Sequence, residues 1–187
     1  MTYVAPLPRE AIADQELRDL ISQSEALGVP DDLFPRIIAR ASEQAKPFMR
    51  ALLMSHTEGN VDHRLKEIIR ILLARFAGDK YFAALRSRKA LQMGLNEDRI
   101  EAGCRDYEDS DLFNEAEKSA LRYADQMYLD PSKVDAAFYA ELKRHFTEAQ
   151  IMELGAFIAF HYGMQIFMRS LGATAPAGTS KGSMPAT

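Results

Sequence analysis

Glu67, Tyr81 and Arg86 fall within one short stretch near the middle of the chain, and together they could carry an acid/base reaction. A carboxyl whose burial raises its pKa toward neutrality can take and return a proton. A guanidinium can hold a carboxylate through two parallel hydrogen bonds. A phenol can donate a hydrogen bond to a developing oxyanion. Asp79 adds a second carboxyl, which would shift the pKa of Glu67 if the two are close. Asp79, Phe82 and Arg86 stand at i, i+3 and i+7, so they share one helix face, with Tyr81 on another. Farther on, His161 and Gln165 lie one turn apart in an apolar helical stretch, where a buried imidazole must find a hydrogen-bond partner or face a pocket.

Other chemistries find no support in the sequence. Neither GxGxxG nor GxxxxGK[ST] occurs, so no phosphate cradle is expected. There is no HExxH, and His56 and His63 stand seven apart without the cysteine or carboxylate pattern of a zinc site. We therefore expect neither a metal nor a cofactor. Cys104 is the single cysteine, so dithiol chemistry within one chain is excluded. Its neighbour Arg105 could lower its pKa, but a buried, inert thiol is the simpler expectation.

Two helical patterns joined at Ala77-Gly78-Asp79 must position these groups. In the first, Val61, Leu65, Ile68, Ile69, Leu72 and Phe76 form one apolar stripe. Glu67 lies roughly opposite, in line with Ile71, Ala74 and Gly78. That line either meets a second packed surface or a pocket, or it is a solvated face on which Glu67 pairs with Arg64, Arg70 or Arg75. The second pattern runs on to Gly94, which closes it. Upstream, helices are expected over about residues 9–27, from near Asp31, and from Pro47 to Gly59-Asn60. Downstream, Asn96 caps a short helix. Asn114 to Glu117 and Thr147 to Gln150 have capping-box spacing, and Asp135 caps a helix between them. The last helix, from Glu148 to about Leu171, is apolar nearly all round and belongs in the centre of the fold or between subunits. No stretch alternates with period two, so the class is all-α.

At 187 residues and a net charge of −4, one domain with a sizeable core is expected and no nucleic-acid surface. We place that domain at residues 1–172 and a disordered, Pro/Gly/Ser-rich tail at 173–187. The N-terminus lacks a signal pattern, and the run from Leu154 to Tyr162 is too short to span a bilayer. A cytoplasmic protein with no membrane partner is the expectation.

The order Glu67, then Gly78-Asp79-Lys80-Tyr81-Phe82, then Arg86-Ser87-x-x-Ala90-x-x-x-Gly94-Leu95 resembles the carboxymuconolactone decarboxylase family, which includes alkylhydroperoxidase D. The similarity continues through Asp109 to Phe113, Glu117 to Asp125 and Phe146 to Leu154, and spans roughly residues 40–172. The resemblance implies a compact multi-helix bundle whose central helical hairpin carries the site. It also implies a homo-oligomer, trimeric or hexameric. Peroxidase members carry a Glu, a CxxC and a His four residues beyond the second Cys. Here Glu67 keeps its place, Asp79 and Phe82 replace the two cysteines, and Arg86 replaces that His. Tyr81 stands where some peroxidases have another His. Without thiols no disulfide cycle can reduce a peroxide.

The resemblance and the retained polar groups imply a cofactor-independent lyase, decarboxylase or isomerase acting on a small organic acid or aromatic breakdown product. Glu67, Tyr81, Arg86 and His161 would be catalytic, and Asp79, Phe82 and Gln165 would bind substrate. A non-catalytic small-ligand binder or scaffold is the alternative, and a peroxide-reducing antioxidant protein the second.

Overall fold

A computed structural model describes residues 2–174, and these form an all-α fold of short and long helices with no strand among them. The helices are α1 Gln15–Leu27, α2 Leu33–Ile38, α3 Ser42–Thr57, α4 His63–Phe76 and α5 Lys80–Ala84. They continue as α6 Arg88–Gln92, α7 Glu97–Gly103, α8 Glu115–Leu129, α9 Ala136–Leu142 and α10 Glu148–Ser170. Helix α4 is the hub and packs against α5, α6, α7, α8 and α10.

Two apolar cores flank α4 and α10. One joins Leu65, Ile68 and Leu72 of α4 to Leu121 and Ala124 of α8 and to Ile151, Leu154 and Ile158 of α10. The other gathers α1, α2 and α3 around Phe34, Met49 and Leu52, with Tyr81, Phe82, Met164 and Met168. Burying both sides of α4 takes its charged residues into the interior: Lys66, Glu67 and Arg70 are all buried. The Glu67 line thus meets a second packed surface. Helix α7 comes close enough that a Cβ at Gly103 would lie 2.4 Å from Ile68 Cγ2. A side chain there would force the two helices apart.

Both expected capping boxes form, at Asn114–Glu117 and Thr147–Gln150, and Asn96 and Asp135 cap α7 and α9. Three expectations fail at the level of elements. The first helix begins at Gln15 under an Asp14 cap, and Arg9–Ala11 is a separate 3-10 turn. Pro47 lies inside α3 rather than opening a helix. It forgoes a bond to the carbonyl of Glu43, which is exposed and can bind water instead. The second half of the central hairpin is two short helices, broken over Leu85-Arg86-Ser87. The break is held by buried side chains from α4.

Helix α10 has the length and composition to cross a bilayer, so the expectation from Leu154–Tyr162 alone was too narrow. In the fold it is the main partner of α4, and it carries His161 and Gln165 inward. Of the expected tail, Ala173 is buried and its N–H bonds to Met168 O, whereas residues 175–187 lie outside those described.

Candidate functional site

The break between α5 and α6 leaves backbone groups that an unbroken helix would have paired. Arg70 takes the carbonyls: Nη1 donates to Phe82 O and Nη2 to Leu85 O, both at 2.7 Å. Glu67 takes the N–H of Ser87 at 2.7 Å. The two side chains face each other as a fork, with Arg70 Nε and Nη2 donating to the two Glu67 oxygens at 2.8 and 2.7 Å. Neither is exposed at all. Burial pushes the Glu67 carboxyl up, but Arg70, His56 and the Ser87 N–H outweigh it and hold the group below the usual carboxylate range. Glu67 is therefore an ionised strut with both oxygens engaged, and its geometry does not suit a group that must pick up a proton.

The other candidates scatter. Arg86 turns outward to pair with Glu97 at 2.8 Å and also donates to the carbonyls of Ala83 and Leu85. Tyr81 is buried in the second core, where its hydroxyl donates to Asp31 and accepts the N–H of Phe34. Phe82 packs against Phe34 in the same core. Asp79 caps α5 through Tyr81 N, and its other oxygen is buried without a partner. Burial raises its carboxyl to about 6. Gln165 donates to Arg70 O at 2.9 Å, tying α10 to α4. Glu67 is sealed against Arg70 while Arg86 turns to Glu97, and neither lines the cleft described next.

What the fold does assemble is a set of three histidines. His56 comes from the last turn of α3, His63 from the first residue of α4, and His161 from the middle of α10. The ring centres of His56 and His63 are 5.5 Å apart, and those of His56 and His161 5.2 Å. All three rings are buried, and burial drives each basicity down: His56 to about 3, His63 to about 4, His161 well below its ordinary value. They are neutral at pH 7. His63 Nε2 lies 2.7 Å from Ser87 Oγ, and His161 Nε2 3.0 Å from Ser55 Oγ. Both nitrogens of His56, and Nδ1 of His63 and of His161, have no partner. Among the described residues no group of three His, Cys, Asp or Glu side chains could hold a metal ion.

His56 and His63 line a cleft of about 230 Å³ between the end of α3, residues 58–62, the start of α4 and the edge of α6. Its other walls include Lys66, Lys89 and Met93. Lys66 is already used, since its ammonium meets Glu153 at 2.8 Å and Glu58 O at 2.9 Å. Lys89 has no carboxylate partner among the described residues, and its ammonium donates to His56 O at 3.5 Å. Glu153 pins the rim by accepting the N–H groups of Asn60 and Val61. It comes so close that a Cβ at Gly59, where φ is +100°, would lie 2.1 Å from Glu153 Oε1, so only glycine fits. Of the residues singled out in the sequence only His161 belongs to the histidine cluster. His56 and His63 show no zinc pattern in the sequence, and their seven-residue spacing does not point to His161. Lys89 gave no signal beyond its charge.

No family model and no curated protein matches the chain. Solved structures do. A cysteine-to-alanine variant of the debrominase Bmp8, in complex with 2,3,4-tribromopyrrole, superposes with a TM-score of 0.81 at 22% identity, covering 96% of this chain and 94% of that one. The alkylhydroperoxidase AhpD core of a peroxidase-related protein from Ralstonia eutropha gives 0.76 at 13% identity, over 94% of each chain. A peroxidase-related protein from Silicibacter gives 0.72 at 13% identity, over 93% of this chain and 92% of that one. The chain has the alkylhydroperoxidase D-like fold. Within that fold a dithiol has no place here. Cys104 is half-buried, and burial pushes its thiol up to about 11. It lies on the far end of α7, outside the cleft.

Proposed function

We propose that this AhpD-like chain is a cofactor-independent acid/base enzyme acting on a small organic acid or aromatic acid, and that its reaction takes place in the cleft of His56, His63 and Lys89. The observation that carries this reading is the pairing of an ammonium lacking a carboxylate with two neutral imidazoles in one small cleft. Lys89 supplies the charge that attracts and seats an anion. His63, its Nε2 held by Ser87, moves the proton at its unpartnered Nδ1, which the substrate must reach by displacing the cleft wall. Glu67 and Arg70 do not react in this scheme; they fix the α5–α6 break that carries Ser87 and sets the start of α6, where Lys89 lies. At about 230 Å³ the cleft is below the roughly 300–1,000 Å³ of sites for drug-sized ligands, which favours a substrate of one ring or less. That Bmp8 is seen with a tribromopyrrole is in keeping with a small ring on this fold.

The test is turnover of a panel of lactone acids and aromatic acids by the full chain. Activity that falls at least 100-fold in His63→Gln, with Lys89→Ala raising KM more than it lowers kcat, supports the assignment. Activity untouched by both variants overturns it. The alternative, a binder without turnover, draws on the sealing of the imidazole nitrogens from solvent. It is favoured if the panel shifts Tm and nothing reacts.

A homo-oligomer is part of the same proposal. The outer face of α10 exposes Met152, Ile166 and Phe167, with Ala159 and Gly163 between them, and a second copy of the chain is the occupant we assign to it.

A further inference from the structure

One large apolar ring stands exposed near the end of α10, and an open hollow lies beside the start of the same helix. Phe167 leaves 44% of its surface in water. At the other end of α10 a second cleft, of about 230 Å³, lies between α9 and the first turns of α10. Tyr139, Ile151 and Met152 wall it, and Lys143 and Glu148, paired at 2.7 Å, complete its lining. An apolar cavity of about 150 Å³ already takes up benzene, so this cleft has room for a phenyl ring. A chain cannot bring its own Phe167 there, because Ile151 and Phe167 belong to one continuous helix and lie about 24 Å apart along it.

A second copy can bring its ring there, if the two α10 helices run antiparallel. Consider a two-fold axis through Ala159, perpendicular to the helix. Phe167 stands eight residues beyond Ala159 and one heptad beyond Phe160, so it shares the flank on which Phe160 meets Phe48 of α3. The axis carries it eight residues to the other side, to the level of Ile151, and onto the opposite flank. That is the flank where Tyr162 meets Tyr128 of α8, and where α9 packs on α8. The cleft lies there. The same axis sets Met152, 60% exposed, against the partner's Ile166, 42% exposed. At the crossing Ala156, Ala159 and Gly163 are small and exposed, and a Cβ at Gly163 would touch nothing in its own chain. Small residues at a crossing, with large ones toward its ends, let two helices come close. A stable pair buries about 800 Å² on each copy, which one helix face alone does not reach. Helix α3 extends the surface: Pro47, Ala51 and Met54 are exposed at i, i+4 and i+7, beside Phe48.

We infer that two copies of the chain pair about a two-fold axis at Ala159, each placing Phe167 in the partner's cleft between α9 and α10. The contact is reciprocal: each copy gives one ring and takes one, so association through this face closes at two. The inference rests on the homo-oligomer reading above and fixes its geometry; it is independent of the histidine cleft. A bilayer is another surface that a helix of this length and composition could meet. A bilayer needs no cleft matched by symmetry to an exposed ring, so the second copy is the occupant.

The test is sedimentation equilibrium of the full chain, with two variants that spoil the match from opposite sides. Phe167→Ala removes the ring, and Met152→Trp fills the cleft that receives it. Each should raise the dimer dissociation constant at least 10-fold and leave the circular dichroism unchanged, because both positions are exposed. An equimolar mixture of the two should recover most of the affinity, since a mixed pair keeps one intact ring and cleft and sets the alanine against the filled one. Ala159→Cys in a Cys104→Ser chain should give a disulfide-linked dimer on mild oxidation, because a two-fold axis there sets position 159 against itself. An assembly that keeps its mass in both variants, a trimer, or an assembly without the Ala159→Cys cross-link overturns this pairing and leaves the homo-oligomer reading in place. A chain that stays monomeric at every concentration overturns both. So does a monomer that floats with phosphatidylcholine vesicles and loses that binding in Phe167→Ala.

Discussion

Two polar clusters share the interior of this protein, a few ångströms apart on α4, and they are built on opposite principles. In the Glu67–Arg70 knot every charge has a counter-charge, and the remaining donors and acceptors go to the broken backbone at Phe82, Leu85 and Ser87. In the histidine cluster no ring carries charge, and four nitrogens lack a partner. A buried ion pair left whole gives little net stability, but it is ruinous to break. A neutral, under-satisfied cluster is cheaper to disturb and keeps hydrogen-bonding capacity unused. The difference separates a scaffold from the candidate site proposed above: Glu67 has both oxygens engaged, whereas His161, singled out from spacing, is joined by His56 and His63.

Arg70→Met should have the largest effect. It strands the Glu67 carboxylate and two backbone carbonyls in the dry interior, and breaking a buried pair typically costs about 3–5 kcal/mol. Urea denaturation is expected to show that loss or a chain that fails to fold, and Arg70→Lys should not rescue it, because an ammonium cannot make the fork. A wild-type-like midpoint for Arg70→Met would erase the contrast.

His56→Phe should cost less at pH 7, about 1–2 kcal/mol, through the misfit of a larger ring, since the imidazole nitrogens make no hydrogen bond to lose. The pH dependence sharpens the comparison. His56 and His63 fall from 6.5 to about 3 and about 4 on folding, so below pH 6.5 the unfolded chain binds protons that the folded one refuses. Stability should drop as pH falls from 7 toward 4, by about 1.4 kcal/mol per pH unit for each such histidine. His56→Phe should flatten that limb, so the cost of the variant shrinks and then reverses in acid. Parallel curves for variant and wild type would show that the ring is not held neutral.

Arg86→Ala should do least. Its partner Glu97 is mostly exposed, and surface pairs of this kind contribute about 0–1 kcal/mol. Thermal unfolding should move by no more than a few degrees, and turnover of any substrate found should be unchanged. A large loss of activity would return Arg86 to the site from which its geometry removes it.

Much of the architecture was legible along the chain, because it depends on local chemistry. The all-α class, the two capping boxes, the apolar stripe of α4 and the inward His161 follow from residue types at fixed spacing. So does the absence of a dithiol, with one cysteine in the whole sequence. Spacing also showed that Glu67 faces away from the stripe. It could not say whether that face meets water or a second core, because the answer lies in α1, α2 and α3, which are distant in sequence. The break at Leu85-Arg86-Ser87 was hidden for the same reason: Ser87 caps α6 locally, but the buried groups that hold the open backbone come from Glu67 and Arg70. His56, His63 and His161 sit on three separate helices, and only packing brings their rings within about 5 Å. Short-range patterns determine which segments form helices and which faces are apolar; long-range contact decides which polar groups are left without water, and so which can do chemistry.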